Sequence, residues 1–136
     1  MRLYHFTHPL HLPSILADGR LRTTESNVSF SQARVGPDVV WLIDEPEPDF
    51  SGEHSHGLYG AKQQVRFEVE VPGIKWTKWA WTAQMTALDR DTLINSGGGI
   101  ERAEHWYVFP APIVARRWCS VVDMTTGEAI DCALTV

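Results

Sequence analysis

The stretch Val65-Arg66-Phe67-Glu68-Val69-Glu70-Val71 alternates apolar and charged residues without exception. Successive side chains of a strand point to opposite faces, so this segment predicts a strand with one dry and one wet face. Sheets of that kind are mostly antiparallel, covered on one side only. Four more segments read as strands: residues 2–7, Val39–Ile43, Trp106–Phe109 and Trp118–Val122. The second of these is stopped by Asp44-Glu45-Pro46-Glu47-Pro48, the third by Pro110 and Pro112, and a last short strand is expected after the turn Thr125-Thr126-Gly127.

Helices are fewer. Leu12-Pro13-Ser14-Ile15-Leu16-Ala17-Asp18-Gly19 predicts one or two turns, with Pro13 in the first turn and Gly19 in the left-handed closing position. Residues 76–94 carry three tryptophans and an amphipathic run from Met85 to Ile94 that predicts a second helix. Polar loops are expected over 22–37, with Val28 to Phe30 briefly extended, and over 44–61; Gly97-Gly98-Gly99 reads as a flexible joint. The expectation is a single α+β domain over residues 1–136: a split, mostly antiparallel sheet with at most two short helices.

Composition narrows the function classes. Apolar residues at 43% and charged ones at 21% are ordinary for a globular chain. The apolar runs are too short to span a bilayer and Arg2 is not followed by a signal-peptide core, so a cytoplasmic protein without a membrane partner is expected. Cys119 and Cys132 form no CxxC pattern and read as reduced thiols. A net charge of −5 argues against a general nucleic-acid binder, which draws its affinity from phosphate neutralisation. Arg20 with Arg22, or Arg116 with Arg117, offers a local basic patch, though each pair reads first as solvated surface charge.

Several side chains bear chemistry. His5 and Thr7 stand two apart on a strand and share a face, as a pair gripping one polar ligand or as a satisfied core histidine beside a packed threonine. Glu104 precedes the strand Trp106–Phe109, where a carboxylate acts as a base or sits as an exposed charge; Glu101 is its rival. Arg34, in a polar loop, offers paired donors for a diphosphate or is simply solvated. His54 and His56 form an HxH pair without a third ligand at suitable spacing, so no metal is expected. Six tryptophans supply a core, with one or two available to stack on a ligand ring. No P-loop, GxGxxG, GxSxG or Cys–His signature is present.

Taken in order, Tyr4-His5-Phe6-Thr7-His8, the Leu-Pro-Ser-Ile-Leu helix ending in Gly19, the apolar strand closing in Asp44-Glu45-Pro46 and the late Ala103-Glu104 resemble the ADP-ribosyltransferase fold. The nearest likeness is to the DarT group, toxins that transfer ADP-ribose from NAD onto thymidine in single-stranded DNA. The resemblance implies NAD as co-substrate, lying in a cleft between two sheet halves. It implies Glu104, Arg34 and His5 as catalytic residues, and His5, Phe6, Thr7, His11, Trp41 and Tyr59 as the NAD-contacting set. In that scheme His5 and Thr7 hold a ribose, Arg34 neutralises the diphosphate, and Glu104 orients the nicotinamide ribose or takes the acceptor's proton. His11 stands where DarT proteins have an asparagine, and the chain is shorter than theirs, without their long acceptor-binding insertion. The implied acceptor is single-stranded DNA or RNA, and an antitoxin or other protein is an implied partner. Two alternatives stand beside this reading: a tRNA 2′-phosphotransferase-like enzyme, and a nucleotide- or protein-binding module that has lost catalysis on the same scaffold.

Overall fold

The computed structural model describes residues 1–23, 39–47, 64–82, 86–96 and 99–130. Alternation decides its central element. In β4 (Val65–Glu70), Val65, Phe67 and Val69 are buried while Glu70 is exposed. Strand β1 (Arg2–Thr7) pairs with it along its full length, from Arg2↔Glu70 to Thr7↔Val65. Leu3, His5 and Thr7 therefore share the covered face with Phe67, and Arg2, Tyr4 and Phe6 share the other with Arg66 and Glu68. On that second face Arg2 pairs with Glu68 at 2.8 Å and Ser120 donates to Glu68 at 3.1 Å.

The remaining strands are β2 (Arg20–Leu21), β3 (Val40–Ile43), β5 (Ile74–Lys75), β6 (Trp106–Phe109), β7 (Ile113–Val114), β8 (Trp118–Asp123) and β9 (Glu128–Ala129). Among the described residues, seven of the nine strands form an antiparallel sheet in the order β5-β6-β3-β1-β4-β8-β9, and β2 pairs with β7 in a separate two-stranded ribbon. The predicted α+β class with a mostly antiparallel sheet is what the described residues show. Among the described residues four short helices accompany it, more than the one or two expected: α1 (Leu12–Asp18), α2 (Trp76–Thr82), α3 (Ala87–Ser96) and α4 (Ile100–Ala103). Helix α2 lies in the tryptophan-rich stretch, whose residues suit strands by propensity; here Trp76, Trp79 and Ala80 form its buried side while Trp81 is exposed. The expected amphipathic run over Met85–Ile94 is a helix from Ala87, yet Leu88 in it is 73% exposed, so the apolar residues do not all face a core.

Two cores lie on opposite faces of the sheet. One gathers Leu3, Leu42, Val65, Phe67, Val69, Tyr107 and Val121 beneath Leu21 and Ile113 of the ribbon, with Leu12 and Ile15 of α1 against it. The other gathers Trp76, Trp79 and Ala80 of α2 and Ala103 of α4 against Val108, with Trp41 and Trp106 at its margin. Full burial of a side chain such as Phe67 contributes roughly 1.5–3 kcal/mol. No helix among the described residues is long and apolar enough to cross a membrane.

Candidate functional site

The first helix and the strand after it build the site. Pro13 occupies the first turn of α1, and Gly19 closes it at φ 70°, its N–H donating to Ile15 O at 2.9 Å. This left-handed turn reverses the chain into β2, and Gly19 O accepts from Ala115 N–H at 2.8 Å, tying the turn to the opposite ribbon strand. Helix, turn and ribbon are thereby held above the covered face of β1. Between them lies an open cleft of about 290 Å³, lined by His5, Thr7, His11, Ser14, Ile15, Asp18, Arg20, Leu21 and Arg22. That is the lower end of the size range of small-molecule sites.

The cleft floor is polar for a definite reason. Strand β1 follows β4 throughout but meets β3 only at Tyr4↔Ile43. The His5 ring adds a side-chain link to β3, Nδ1 lying 2.8 Å from Trp41 O. A carbonyl oxygen only accepts, so Nδ1 carries the proton and Nε2 keeps its lone pair. Loss of hydration holds the His5 pKa below its usual value, which keeps the ring neutral. Next to it, Thr7 is the buried polar residue of the described chain, at 8% exposure. Its hydroxyl has no hydrogen-bond partner among the described residues. The floor thus offers an acceptor (His5 Nε2) and a hydroxyl that donates or accepts, a set suited to vicinal hydroxyls of a sugar.

The rim is ionic. Asp18 accepts from Arg20 Nε at 3.0 Å and from Arg22 Nε at 2.9 Å. The two guanidinium groups, Arg22 first, pull the Asp18 carboxyl down to a pKa of about 2. His11 is exposed at the N-terminal end of α1, with its ring edge-to-face against His8.

Of the residues expected to act together, the cleft unites His5, Thr7 and His11. Phe6 registers with Arg66 on the opposite face of β1. Trp41 also points away: its ring stacks on Trp76 at 6.1 Å and meets Trp106 edge-on, so its side chain serves the second core and only its carbonyl reaches the site. Glu104 follows α4 and pairs with Lys75 Nζ of edge strand β5 at 3.3 Å; it does not line the cleft. Strands β6 and β3 intervene between β5 and β1. The expected convergence of His5 and Glu104 on one crevice is therefore not what these side chains adopt. Arg34, Tyr59, His54, His56 and Cys132 lie outside the described residues.

Ser14, Ile15, Asp18, Arg20, Leu21 and Arg22 join the site although no chemistry was expected of them as a group. Their one signal was the i, i+2 spacing of Arg20 and Arg22 just after a helix-closing glycine, which puts both on one side of the outgoing strand. A second cluster, Asp44, Glu45 and His105, places three ligand-type atoms within 4.8 Å of one another. Its contacts are internal: His105 Nδ1 lies 2.8 Å from Asp44 Oδ1, and Arg102 pairs with Glu45 at 3.1 Å. Compared with protein-family models, with curated proteins and with solved structures, the chain gives no match in any of the three.

Proposed function

We propose that the chain is a nucleotide-binding domain of the ADP-ribosyltransferase type, taking NAD through the cleft of His5 and Thr7. One observation carries the reading: an Nδ1-protonated His5, fixed by the Trp41 carbonyl, presents a neutral acceptor beside the Thr7 hydroxyl, which has no partner among the described residues. Those two groups match the hydroxyls of a ribose. The likeness of residues 4–19, 39–46 and 103–109 to that family supplies the reaction class. In such a transfer the C1′–N bond between ribose and nicotinamide breaks, nicotinamide leaves with the bonding pair, and the acceptor's nucleophile bonds C1′ as its proton passes to a base. Single-stranded DNA and RNA are the acceptors proposed; the family likeness implies Glu104 as the carboxylate that holds the ribose or takes that proton, a role it can fill only by leaving Lys75 and reaching the cleft.

A second reading is favoured by the position of Glu104 itself. Its carboxylate is paired with Lys75 outside the cleft, which suits a module that binds a nucleotide without transferring it. Incubation with labelled NAD and separate pools of single-stranded DNA, RNA and protein divides the two. Under the transferase reading one pool gains label, and Glu104→Gln abolishes labelling while NAD still raises the melting temperature. Thermal stabilisation by NAD without label in any pool selects the binding module. No response to NAD at all removes both.

A further inference from the structure

The rim of the cleft carries a charge arrangement that the sugar-binding floor does not explain. Arg20 and Arg22 are two residues apart and extend to the same side, where alone they would repel each other. Asp18, at the end of α1, sits between them and accepts one hydrogen bond from each through Nε. Because only Nε is engaged, the Nη groups of both side chains remain donors without a partner among the described residues. The side chains are 50% and 71% exposed, so pairing with Asp18 adds little to stability. What it does is hold two guanidinium forks together at one edge of the cleft. Two guanidinium groups and one carboxylate leave a local charge of +1, in a chain whose net charge is −5.

We infer that Arg20 and Arg22, braced by Asp18, seat a phosphate group of the ligand whose sugar lies against His5 and Thr7, making the cleft a site for a nucleoside phosphate. The inference rests on the sugar-binding reading of the floor. A guanidinium fork matches two phosphate oxygens and binds them more strongly than it binds neutral acceptors. A volume of about 290 Å³ holds a nucleoside, with its phosphate emerging at the rim where the arginines stand. A nucleic-acid backbone has the same phosphate chemistry, but an acidic chain gains little from a polymer's counterion release. The smaller ligand is therefore the one assigned.

Calorimetric titration of the full chain with adenosine, AMP and a ten-nucleotide single-stranded DNA tests this in wild type, the double variant Arg20→Gln/Arg22→Gln, and Thr7→Val. AMP is expected to bind wild type about tenfold or more tighter than adenosine, as befits charge-assisted contacts, with the advantage shrinking as salt is added. In the double variant that advantage disappears while adenosine affinity is unchanged. Both arginines are exposed, so the variant keeps its fold; a melting curve confirms it. Thr7→Val weakens adenosine and AMP equally, which reports on the floor alone. Equal binding of adenosine and AMP to wild type overturns the phosphate seat and leaves the floor standing. So does an AMP advantage that survives in the double variant. Loss of oligonucleotide binding with AMP unaffected assigns the arginines to a polymer backbone and likewise overturns the seat. If none of the three ligands binds, seat and floor fall together.

Discussion

At the scale of single residues, the site turns on two groups whose states follow from their neighbours. His5 is kept neutral because its ring has lost water, with the Trp41 carbonyl opposing that shift only in part. The folded pKa lies below 6.5, so the unfolded chain binds the proton more readily in the interval between the two values. Stability from this source is complete above pH 6.5 and declines as the pH falls toward the folded value. The melting temperature should drop through that window in wild type and drop less in His5→Gln; equal profiles would show that another group is responsible. Ligand binding should hold through that window and weaken as the pH reaches and passes below the folded value, where the ring takes its proton and no longer accepts. Asp18 behaves analogously at lower pH. Its folded pKa of about 2 lies below the ordinary 3.8, so its contribution is full above 3.8 and is lost as the pH falls toward 2. Thr7→Val removes a hydroxyl that has no partner among the described residues, so the melting temperature should stay level or rise. Affinity for an adenine nucleoside should fall about three- to tenfold, the worth of one hydrogen bond of ~1 kcal/mol.

Among elements, close approach and burial decide what substitutions cost. The chain leaves β4 through Val71, Pro72 and Gly73, and the turn presses against β1 and β6. A Cβ on Gly73 would stand 2.3 Å from Leu3 Cδ1 and 3.4 Å from Tyr107 Cβ. Leu3 is fully buried and has nowhere to move. Gly73→Ala should therefore destabilise by about 1–3 kcal/mol, read as a lowered denaturant midpoint with unchanged slope. Trp41 tests the division between core and cleft. Its indole packs on Trp76 and Trp106, so Trp41→Phe should lower stability by about 1–3 kcal/mol and leave nucleoside binding as in wild type. A change in affinity without a change in stability would place that ring in the ligand site instead.

For the whole molecule, one continuous sheet joins two cores on opposite faces. Trp76 and Trp79 lie in one, and Trp118 packs against the other. Because β3 and β6 contribute to both, neither core can open without exposing strands of its neighbour. Unfolding should be a single transition, with tryptophan fluorescence and far-ultraviolet circular dichroism coinciding along a denaturant series. Separate transitions would mean that the halves fold as independent units. The same arrangement separates the chemistry. The cleft lies on the face of α1 and the ribbon, whereas α2 and α4 cover the other face and Glu104 stands at the β5 edge.

What could be read from the chain alone were the features with a local cause. The alternation of 65–71 determined β4 and its wet face, proline and glycine spacing determined the ends of α1, and the i, i+2 relation of His5 and Thr7 determined that they share a face. Each depends on backbone geometry within a few residues, which sequence records directly. The two-residue strands β2, β5 and β7 exist only because a partner strand is present, and the helical state of Trp76–Thr82 only because it buries Trp76 and Trp79 against Val108 and Ala103. Tertiary structure alone decided that the Trp41 carbonyl orients His5, and that Arg20 and Arg22 close the cleft while Glu104 turns to Lys75. Those outcomes depend on which strands lie side by side, a long-range matter that spacing along the chain does not encode.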